Sequence, residues 1–230
     1  MNVYAISDLH LSGFSPKPMN IFGDHWSGHW DKIREHWLSC VMPDDVVLIA
    51  GDISWAMRLD EARVDLDEVC ALPGSKLIIK GNHDYWWGSL SQVESLLSNH
   101  TYVLQNNSRV AGDVVFAGSR GWTVPDSKQY APEDEKLYLR EAARLELSLK
   151  HARKAAPEAR LVCMMHFPPA NANGAPTLYT DLFEKYGAAD VVYGHLHSAS
   201  IRGALSGVIR GVRYTLTSCD ATEFKLVSII

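Results

Sequence analysis

Short apolar, β-branched runs alternate with helical patterns along most of this chain, and this alternation limits the fold to few architectures. The runs predict buried strands at Val3–Ile6, Val46–Ala50, Leu77–Ile79, Val114–Ala117, Leu161–Met165 and Val191–Tyr193. The intervening segments Asp60–Leu72, Ser89–Leu97 and Glu133–Ala156 have helical patterns. Strand–helix alternation is typical of βαβ units, so we predict an α/β protein with a sheet that is at least partly parallel.

The C-terminal region has a different pattern. Val208–Ile209, Tyr214–Ser218 and Phe224–Ile230 resemble consecutive strands joined by turns that contain glycine, which predicts antiparallel pairing at the end of the fold. The chain has 230 residues, without an internal repeat or a linker-like stretch. We therefore predict one domain, residues 1–230, with a sizeable core.

Composition and charge argue against several classes of protein. The net charge of −5 and the lack of a Lys/Arg stripe disfavour an extended nucleic-acid surface. The N-terminus does not resemble a signal peptide, and no apolar run approaches the ~20 residues needed to span a bilayer, so we expect no membrane association. The four cysteines are widely spaced and form no CxxC pair, so we expect free thiols and a cytoplasmic location.

Five predicted strands are followed by residues that commonly bind metals. These residues are Asp8, His10, Asp52, Asn82, His83, Asp84, His166, His195 and His197. In open α/β sheets, ligands bind beyond the carboxyl ends of the strands, so we expect these side chains to meet there. Carboxylate, imidazole and amide donors suit Mn, Fe or Zn better than Ca, and Asp-x-His places alternate side chains on one side of an extended backbone.

The order Asp-x-His, Gly-Asp, Gly-Asn-His-Asp, His-x-Pro, Gly-His-x-His resembles the calcineurin-like metallophosphoesterase superfamily, and the similarity runs from Asp8 to His197. The resemblance implies a four-layer α/β/β/α sandwich of two mixed sheets with flanking helices. It also implies a centre of two metal ions. By motif, Asp8, His10 and His197 bind one ion, Asn82, His166 and His195 bind the other, and Asp52 bridges them.

The resemblance places His83 near the leaving group, where it donates a proton to the departing alkoxide while a metal-bound hydroxide attacks phosphorus. Asp84 either orients His83 or is a turn carboxylate. The Ser/Thr protein phosphatases of the superfamily carry an Asp-Arg-Gly element after Gly-Asp. Here Ile53-Ser54-Trp55 follows Asp52, so that branch is disfavoured. The His-Phe-Pro-Pro and Gly-Asn-His-Asp blocks look more like those of small bacterial-type phosphohydrolases.

All seven tryptophans lie near the ligand motifs or on the connections that flank them. Trp55, Tyr85 and Trp86 predict an aromatic rim that binds the substrate, and the alternative is a hydrophobic cluster without a role in binding. His25 and His29 are four residues apart, which on one helix would place them on one face and raises the alternative of a third metal site.

The function that we predict is hydrolysis of a small phosphate ester, with a nucleotide-type diester favoured, by two transition-metal ions (Mn, Fe or Zn). The alternatives are a phosphomonoesterase, a nuclease and a non-catalytic metal-binding scaffold. The net charge disfavours a nuclease, and the presence of every ligand residue and of His83 disfavours a scaffold.

Overall fold

The structure is a computed structural model that describes residues 1–98 and 100–230. The chain divides into two compact units, unit 1 (Met1–Val103 with Thr217–Ile230) and unit 2 (Leu104–Leu216). Each unit contains its own sheet and its own hydrophobic core. The single domain expected from the sequence stays a prediction.

The sheet of unit 1 has five strands in the order β11-β1-β2-β3-β4. The strands are β1 (Val3–Ile6), β2 (Val46–Ile49), β3 (Ser75–Ile78), β4 (Thr101–Val103) and β11 (Val227–Ser228). Strands β1, β2, β3 and β4 run parallel to one another, and β11 is antiparallel to β1. Every residue of β2 is buried, which explains why this central strand is a continuous apolar run.

Three helices accompany this sheet: α1 (His29–Cys40), α2 (Leu59–Ala71) and α3 (Leu90–Glu94). Short 3-10 helices lie at Met19–Phe22 and Asp24–Trp26. Helix α3 is shorter than predicted because its last turn tightens into i→i+3 hydrogen bonds, including Leu96 N–H to Val93 O at 3.0 Å.

The sheet of unit 2 has six strands in the order β5-β6-β7-β8-β10-β9. They are β5 (Ser108–Ala111), β6 (Val114–Ser119), β7 (Arg160–Met165), β8 (Ala188–Tyr193), β9 (Gly207–Ile209) and β10 (Val212–Leu216). Strands β6, β7, β8 and β10 run parallel to one another. The edge strand β5 is antiparallel to β6, and the edge strand β9 is antiparallel to β10.

Unit 2 also contains α4 (Asp134–Ala155), α5 (Leu178–Lys185) and a 3-10 helix at Ser198–Gly203. Helix α4 presents Tyr138, Leu145 and Leu149 to the core. The sequence reading missed α5, although Thr177 marks its start by accepting a hydrogen bond from Thr180 N–H at 3.2 Å.

The C-terminal strands differ from the expected consecutive set. Strand β10 pairs with β9 and β8, whereas Phe224–Ile230 contains only the two-residue β11, which pairs with β1 in the other sheet. Pairing of β11 with β1 joins residues more than 200 positions apart, so the local pattern does not reveal it.

The predicted α/β class with two mixed sheets and flanking helices is confirmed. The structure has strands at all six of the positions where the apolar runs predict them. Within residues 1–98 and 100–230, no helix is both long enough and apolar enough to cross a membrane.

Candidate metal centre

In unit 1, the predicted ligand residues follow three adjacent strands. Asp8 and His10 follow β1, Asp52 follows β2, and Asn82 follows β3. Because β1, β2 and β3 are parallel neighbours, their carboxyl ends lie at one edge of the sheet. The loops that carry these side chains therefore leave the sheet side by side.

The loop after β1 is hydrogen-bonded to the loop after β2. Asp8 N–H donates to Gly51 O at 2.9 Å, and His10 N–H donates to Asp52 O at 3.0 Å. One oxygen of Asp8 lies within 4.8 Å of a ring nitrogen of His10, and one lies within 4.8 Å of an oxygen of Asp52. His10 Nε2 is 4.0 Å from Asp52 Oδ2.

These three side chains have the properties of a cation site. Asp8 is fully buried, Asp52 is 1% exposed and His10 is 4% exposed. Two buried carboxylates at this separation repel each other strongly, and a cation between them offsets both the repulsion and the cost of burial. The donor set therefore fits the transition-metal ions that the sequence predicts.

The backbone at four of the predicted ligand positions is unusual. Asp8, His10 and Asp52 have φ values of +59°, +48° and +53°, and His195 in unit 2 has +72°. The expectation that Asp8 and His10 lie on an extended backbone is thus wrong, because hydrogen bonds to the β2 loop turn the chain there. Residues other than glycine rarely adopt such φ values, and strain of this kind concentrates at functional sites.

Two residues outside the motifs hold Asp8 in place. Ser7 Oγ donates to Asp8 Oδ2 at 2.5 Å, and Cys219 Sγ donates to Asp8 O at 3.0 Å. Burial, together with the charge of Asp8, raises the pKa of the Cys219 thiol. Cys219 is therefore a protonated hydrogen-bond donor beside the site, and the sequence reading did not identify it.

Asp84 joins the β2 and β3 loops. Its buried carboxylate accepts five hydrogen bonds, four from backbone N–H groups and one from an indole N–H. The donors are Asp52 N (2.9 Å), Ile53 N (2.8 Å), Ser54 N (3.2 Å), Gly81 N (2.7 Å) and Trp86 Nε1 (3.0 Å). Burial raises the pKa of Asp84, and the backbone donors oppose this rise. These contacts favour a positioning role over a catalytic one.

Gly81 and His83 lie at the closest approach of the same two loops. A Cβ on Gly81 would lie 2.0 Å from Asp52 Oδ1 and 2.2 Å from Asp52 N. His83 N–H donates to Asp52 Oδ1 at 2.8 Å, so the backbone of His83 is fixed beside Asp52. Glycine is required at position 81 because the two loops leave no space for a side chain.

The aromatic residues of the predicted rim have different environments. The Trp55 ring stacks on His10 at a centroid distance of 4.7 Å and lies 4.7 Å from the His83 ring. Tyr85 is 55% exposed, and its ring is 6.0 Å from His83. Trp55 and Tyr85 therefore flank His83, and their binding of substrate remains a prediction.

Trp86 is 2% exposed, and its indole N–H is bound to Asp84. It cannot stack on a ligand in this conformation, so the structure favours the hydrophobic-cluster interpretation for this residue. Half of the other six tryptophans share that environment, since Trp26, Trp37 and Trp87 are also buried in the core of unit 1.

The other histidines near α1 have local roles. His25 precedes α1 in a separate 3-10 helix, so it does not share a helical face with His29. His29 Nε2 is 2.9 Å from Leu9 O, and Leu226 N–H donates to His36 Nδ1 at 3.2 Å. Burial lowers the pKa of His29. These contacts give the alternative of a third metal site no support.

In unit 2, the predicted ligands follow the adjacent parallel strands β7 and β8. His166 is fully buried, and its ring centroid is 5.2 Å from that of His195. Gly194 N–H donates to His166 O at 3.1 Å, which aligns the two loops. His197 is half-buried at the start of the next 3-10 helix, where its N–H donates to Ser200 Oγ at 2.9 Å.

Arg120 is a charged residue that the sequence reading did not select. It follows β6 at the same edge of the sheet as His166, and its carbonyl oxygen accepts His166 N–H at 3.1 Å. Its guanidinium group is 3.5 Å from the buried carboxylate of Glu141. Burial lowers the pKa of Arg120, and Glu141 opposes this change. Arg120 directly follows a strand, and this position in the sequence is the signal that could have identified it.

The fold defines an α/β protein that carries side chains suited to metal binding at the carboxyl ends of parallel strands. Within that class, the chain belongs to the calcineurin-like phosphoesterase family, whose model matches residues 1–199. Membership implies metal-dependent hydrolysis of phosphoesters.

The chain is similar to the crystal structure of a protein of unknown function from Aquifex aeolicus. That protein is 15% identical, the similarity covers 99% of this chain and 95% of the other, and the TM-score is 0.54. This likeness supports the fold alone. No protein with a curated description matches the sequence.

Proposed function

We propose that this protein hydrolyses a small phosphate ester with two bound transition-metal ions, and that a nucleotide-type diester is the favoured substrate. Family membership supports the reaction class. The observation that carries the metal requirement is the buried pair Asp8 and Asp52, whose carboxylate oxygens approach within 4.8 Å.

The proposed ligands are Asp8, His10, Asp52, Asn82, His166, His195 and His197, with Asp52 as the bridge. Mn, Fe and Zn suit this mixture of carboxylate, imidazole and amide donors. When bound, two such ions neutralise charge on the phosphate and lower the pKa of water so that it can attack at neutral pH. The chain's own task is to hold the ligands in place, and the hydrogen bonds of Asp84 to both loops support that task.

His83 is the proposed general acid. A histidine that binds a metal ion is unprotonated and cannot donate a proton, so the donor has to lie outside the ligand set. The hydrogen bond from His83 N–H to Asp52 Oδ1 and the ring contacts with Trp55 and Tyr85 hold it next to the proposed bridge. Histidine is the side chain whose unperturbed charge change falls near neutral pH, and this property suits transfer of a proton to an alkoxide.

The preference for diesters follows from charge. Ile53-Ser54-Trp55 follows Asp52, where the protein-phosphatase branch has an arginine, so the metal ions must meet most of the phosphate charge. A diester has one negative charge fewer than a fully ionised monoester and so needs less compensation.

The proposal includes a cytoplasmic location and no extended nucleic-acid or membrane partner. Cys40, Cys70, Cys163 and Cys219 are all free thiols, which suits a reducing compartment. The net charge of −5 suits a small substrate better than a nucleic-acid polymer.

The test compares 4-nitrophenyl phosphate with bis(4-nitrophenyl) phosphate in the presence of Mn²⁺, Fe²⁺ or Zn²⁺. We expect metal-dependent hydrolysis of both esters, with the larger kcat/KM for the diester. A monoester kcat/KM a hundredfold above that of the diester would reverse the preference. Absence of hydrolysis, with two metal ions bound per chain, would favour a non-catalytic scaffold.

A further inference from the structure

A cavity of about 220 Å³ opens beside Trp55 in unit 1. Its apolar lining includes Phe14 and Met57, which are 58% and 61% exposed, together with the Trp55 ring. The same ring stacks on the predicted ligand His10. The Trp55 ring therefore contacts the cavity and also the candidate metal ligand His10.

The cavity also contains one ammonium group. Lys17 Nζ lies 4.2 Å from the Trp55 ring centroid, and within the described part of the chain it forms no hydrogen bond or ion pair. Lys17 N–H donates to Ser12 Oγ at 3.0 Å, and Gly13 N–H donates to Asp65 Oδ1 at 2.8 Å. These two bonds fix the loop that carries Lys17.

The acidic groups of the cavity already have partners. Asp65 accepts hydrogen bonds from Ser54 Oγ and from Gly13 N–H. Glu61 Oε2 accepts from the N–H groups of Met57 and Arg58 at 3.0 and 3.1 Å. The cavity thus offers an apolar surface and a cation that lacks an acceptor.

We propose that this cavity binds the organic part of the substrate, and that Lys17 selects esters whose organic part carries a second anionic group. This inference rests on the proposed function. The ligand class is a nucleotide-type ester, in which a sugar or base contacts the apolar lining and an additional phosphate contacts the Lys17 ammonium.

The test uses two esters with the same leaving group. They are the 4-nitrophenyl ester of thymidine 5′-phosphate and the same ester with a 3′-phosphate. The wild-type protein should have a KM about three- to fivefold lower for the 3′-phosphorylated ester, the size expected for one exposed charge pair. Lys17→Met should remove this difference, and Lys17→Arg should keep it.

Lys225→Met is the matched control because Lys225 is an exposed lysine of the same unit whose ammonium is bound to Glu223. This variant should keep the KM difference and should hydrolyse bis(4-nitrophenyl) phosphate at the wild-type rate. Equal KM values for the two thymidine esters, or a difference that survives in Lys17→Met, would overturn the inference.

Calorimetry with thymidine 3′,5′-bisphosphate separates this inference from the proposed function. If no ester is hydrolysed, the proposed function fails, yet the cavity is still supported by three- to fivefold weaker binding in Lys17→Met with unchanged binding in Lys225→Met. Equal binding by these two variants and the wild type would refute the role of Lys17.

Discussion

Asp84 connects two ligand loops through a single carboxylate. Its oxygens accept backbone N–H groups from both loops, including those of Asp52 and Gly81. Few other side chains can accept so many bonds, because only an ionised carboxylate offers about four lone-pair positions without a donor of its own. Asp84 therefore acts on the proposed metal ligands through the backbone.

We expect Asp84→Asn to loosen both loops, since the new NH₂ group would face backbone donors and leave them unsatisfied. The free energy of unfolding should fall by about 1–3 kcal/mol, and metal content should fall with it. Urea unfolding and elemental analysis measure these changes, with the exposed Asp67→Asn in α2 as the control. An Asp84→Asn variant with wild-type stability and metal content would show that the hydrogen bonds of Asp84 to the two loops are not needed for metal binding.

His83 allows a prediction about the leaving group. General-acid help is worth about 10²–10⁴-fold, and a nitrophenolate hardly needs it. His83→Ala should therefore keep its metals and much of its rate on a nitrophenyl ester, but lose most of its rate on an alkyl ester. The measurement is kcat for both esters. A loss by the same factor on each, with metals bound, would indicate that His83 positions phosphate instead.

At the scale of elements, the parallel neighbours β1, β2 and β3 bring their loops to one edge of the sheet. How close the loops come depends on Gly81, whose α-carbon faces Asp52. The backbone at Gly81 is not in the left-handed region, so an alanine is excluded there by contact alone.

Gly81→Ala should displace Asp52 and reduce metal binding at least tenfold, because a Cβ cannot remain 2.0 Å from Asp52 Oδ1. Gly28→Ala is the control, since Gly28 has φ +63° but open space around it. It should cost about 1 kcal/mol of stability and leave metal binding intact. The comparison requires metal titration and urea unfolding of both variants, and equal metal affinity in the two would contradict the steric argument.

The end of α2 is held by a buried lysine of β3. Lys76 is 1% exposed, and its Nζ donates to Cys70 O at 3.1 Å and to Leu72 O at 2.6 Å. Lys76→Met should lower the free energy of unfolding by about 1–3 kcal/mol, because two buried carbonyl groups lose their donor. The exposed Lys225→Met should change it little.

This lysine also predicts a pH dependence. Burial lowers the pKa of Lys76 from its ordinary value of 10.5. Between the lowered pKa and 10.5 the unfolded chain binds more protons, so the wild-type protein gains stability relative to Lys76→Met as pH rises. Urea unfolding at pH 7, 9 and 10 measures the difference in the free energy of unfolding between the wild type and Lys76→Met. A difference that narrows as pH rises would contradict the lowered pKa of Lys76.

At the scale of the whole molecule, metal binding should be visible as stability. Ligand at a hundredfold excess over its Kd adds about 2.7 kcal/mol, which for a chain of this size raises Tm by roughly 5–10 °C. Mn²⁺ should produce this rise, and a chelator should reverse it.

Asp52→Asn should lose most of the rise, although its metal-free Tm should equal or exceed that of the wild type, since a buried charge near Asp8 is removed. Differential scanning calorimetry with elemental analysis provides the measurement. Full metal content in an active Asp52→Asn variant would refute Asp52 as the bridge.

The sequence by itself determined which residue types follow which strands. Apolar runs such as Val46–Ala50 and the polar residues directly after them are local patterns, and they sufficed for the α/β class and for the family. The sequence pattern misplaced the C-terminal strand, because β11 is defined by its pairing with β1. The pattern also missed helix α5, because this helix is short.

Only the tertiary structure decided how the site is held. The left-handed backbone at Asp8 and Asp52, three of the five hydrogen bonds to Asp84 and the close approach at Gly81 all involve loops that lie far apart in the sequence. The cavity beside Trp55 likewise combines Lys17 with residues of a distant loop. Strand periodicity depends on neighbours in the sequence, whereas these features depend on contacts that exist only once the chain has folded.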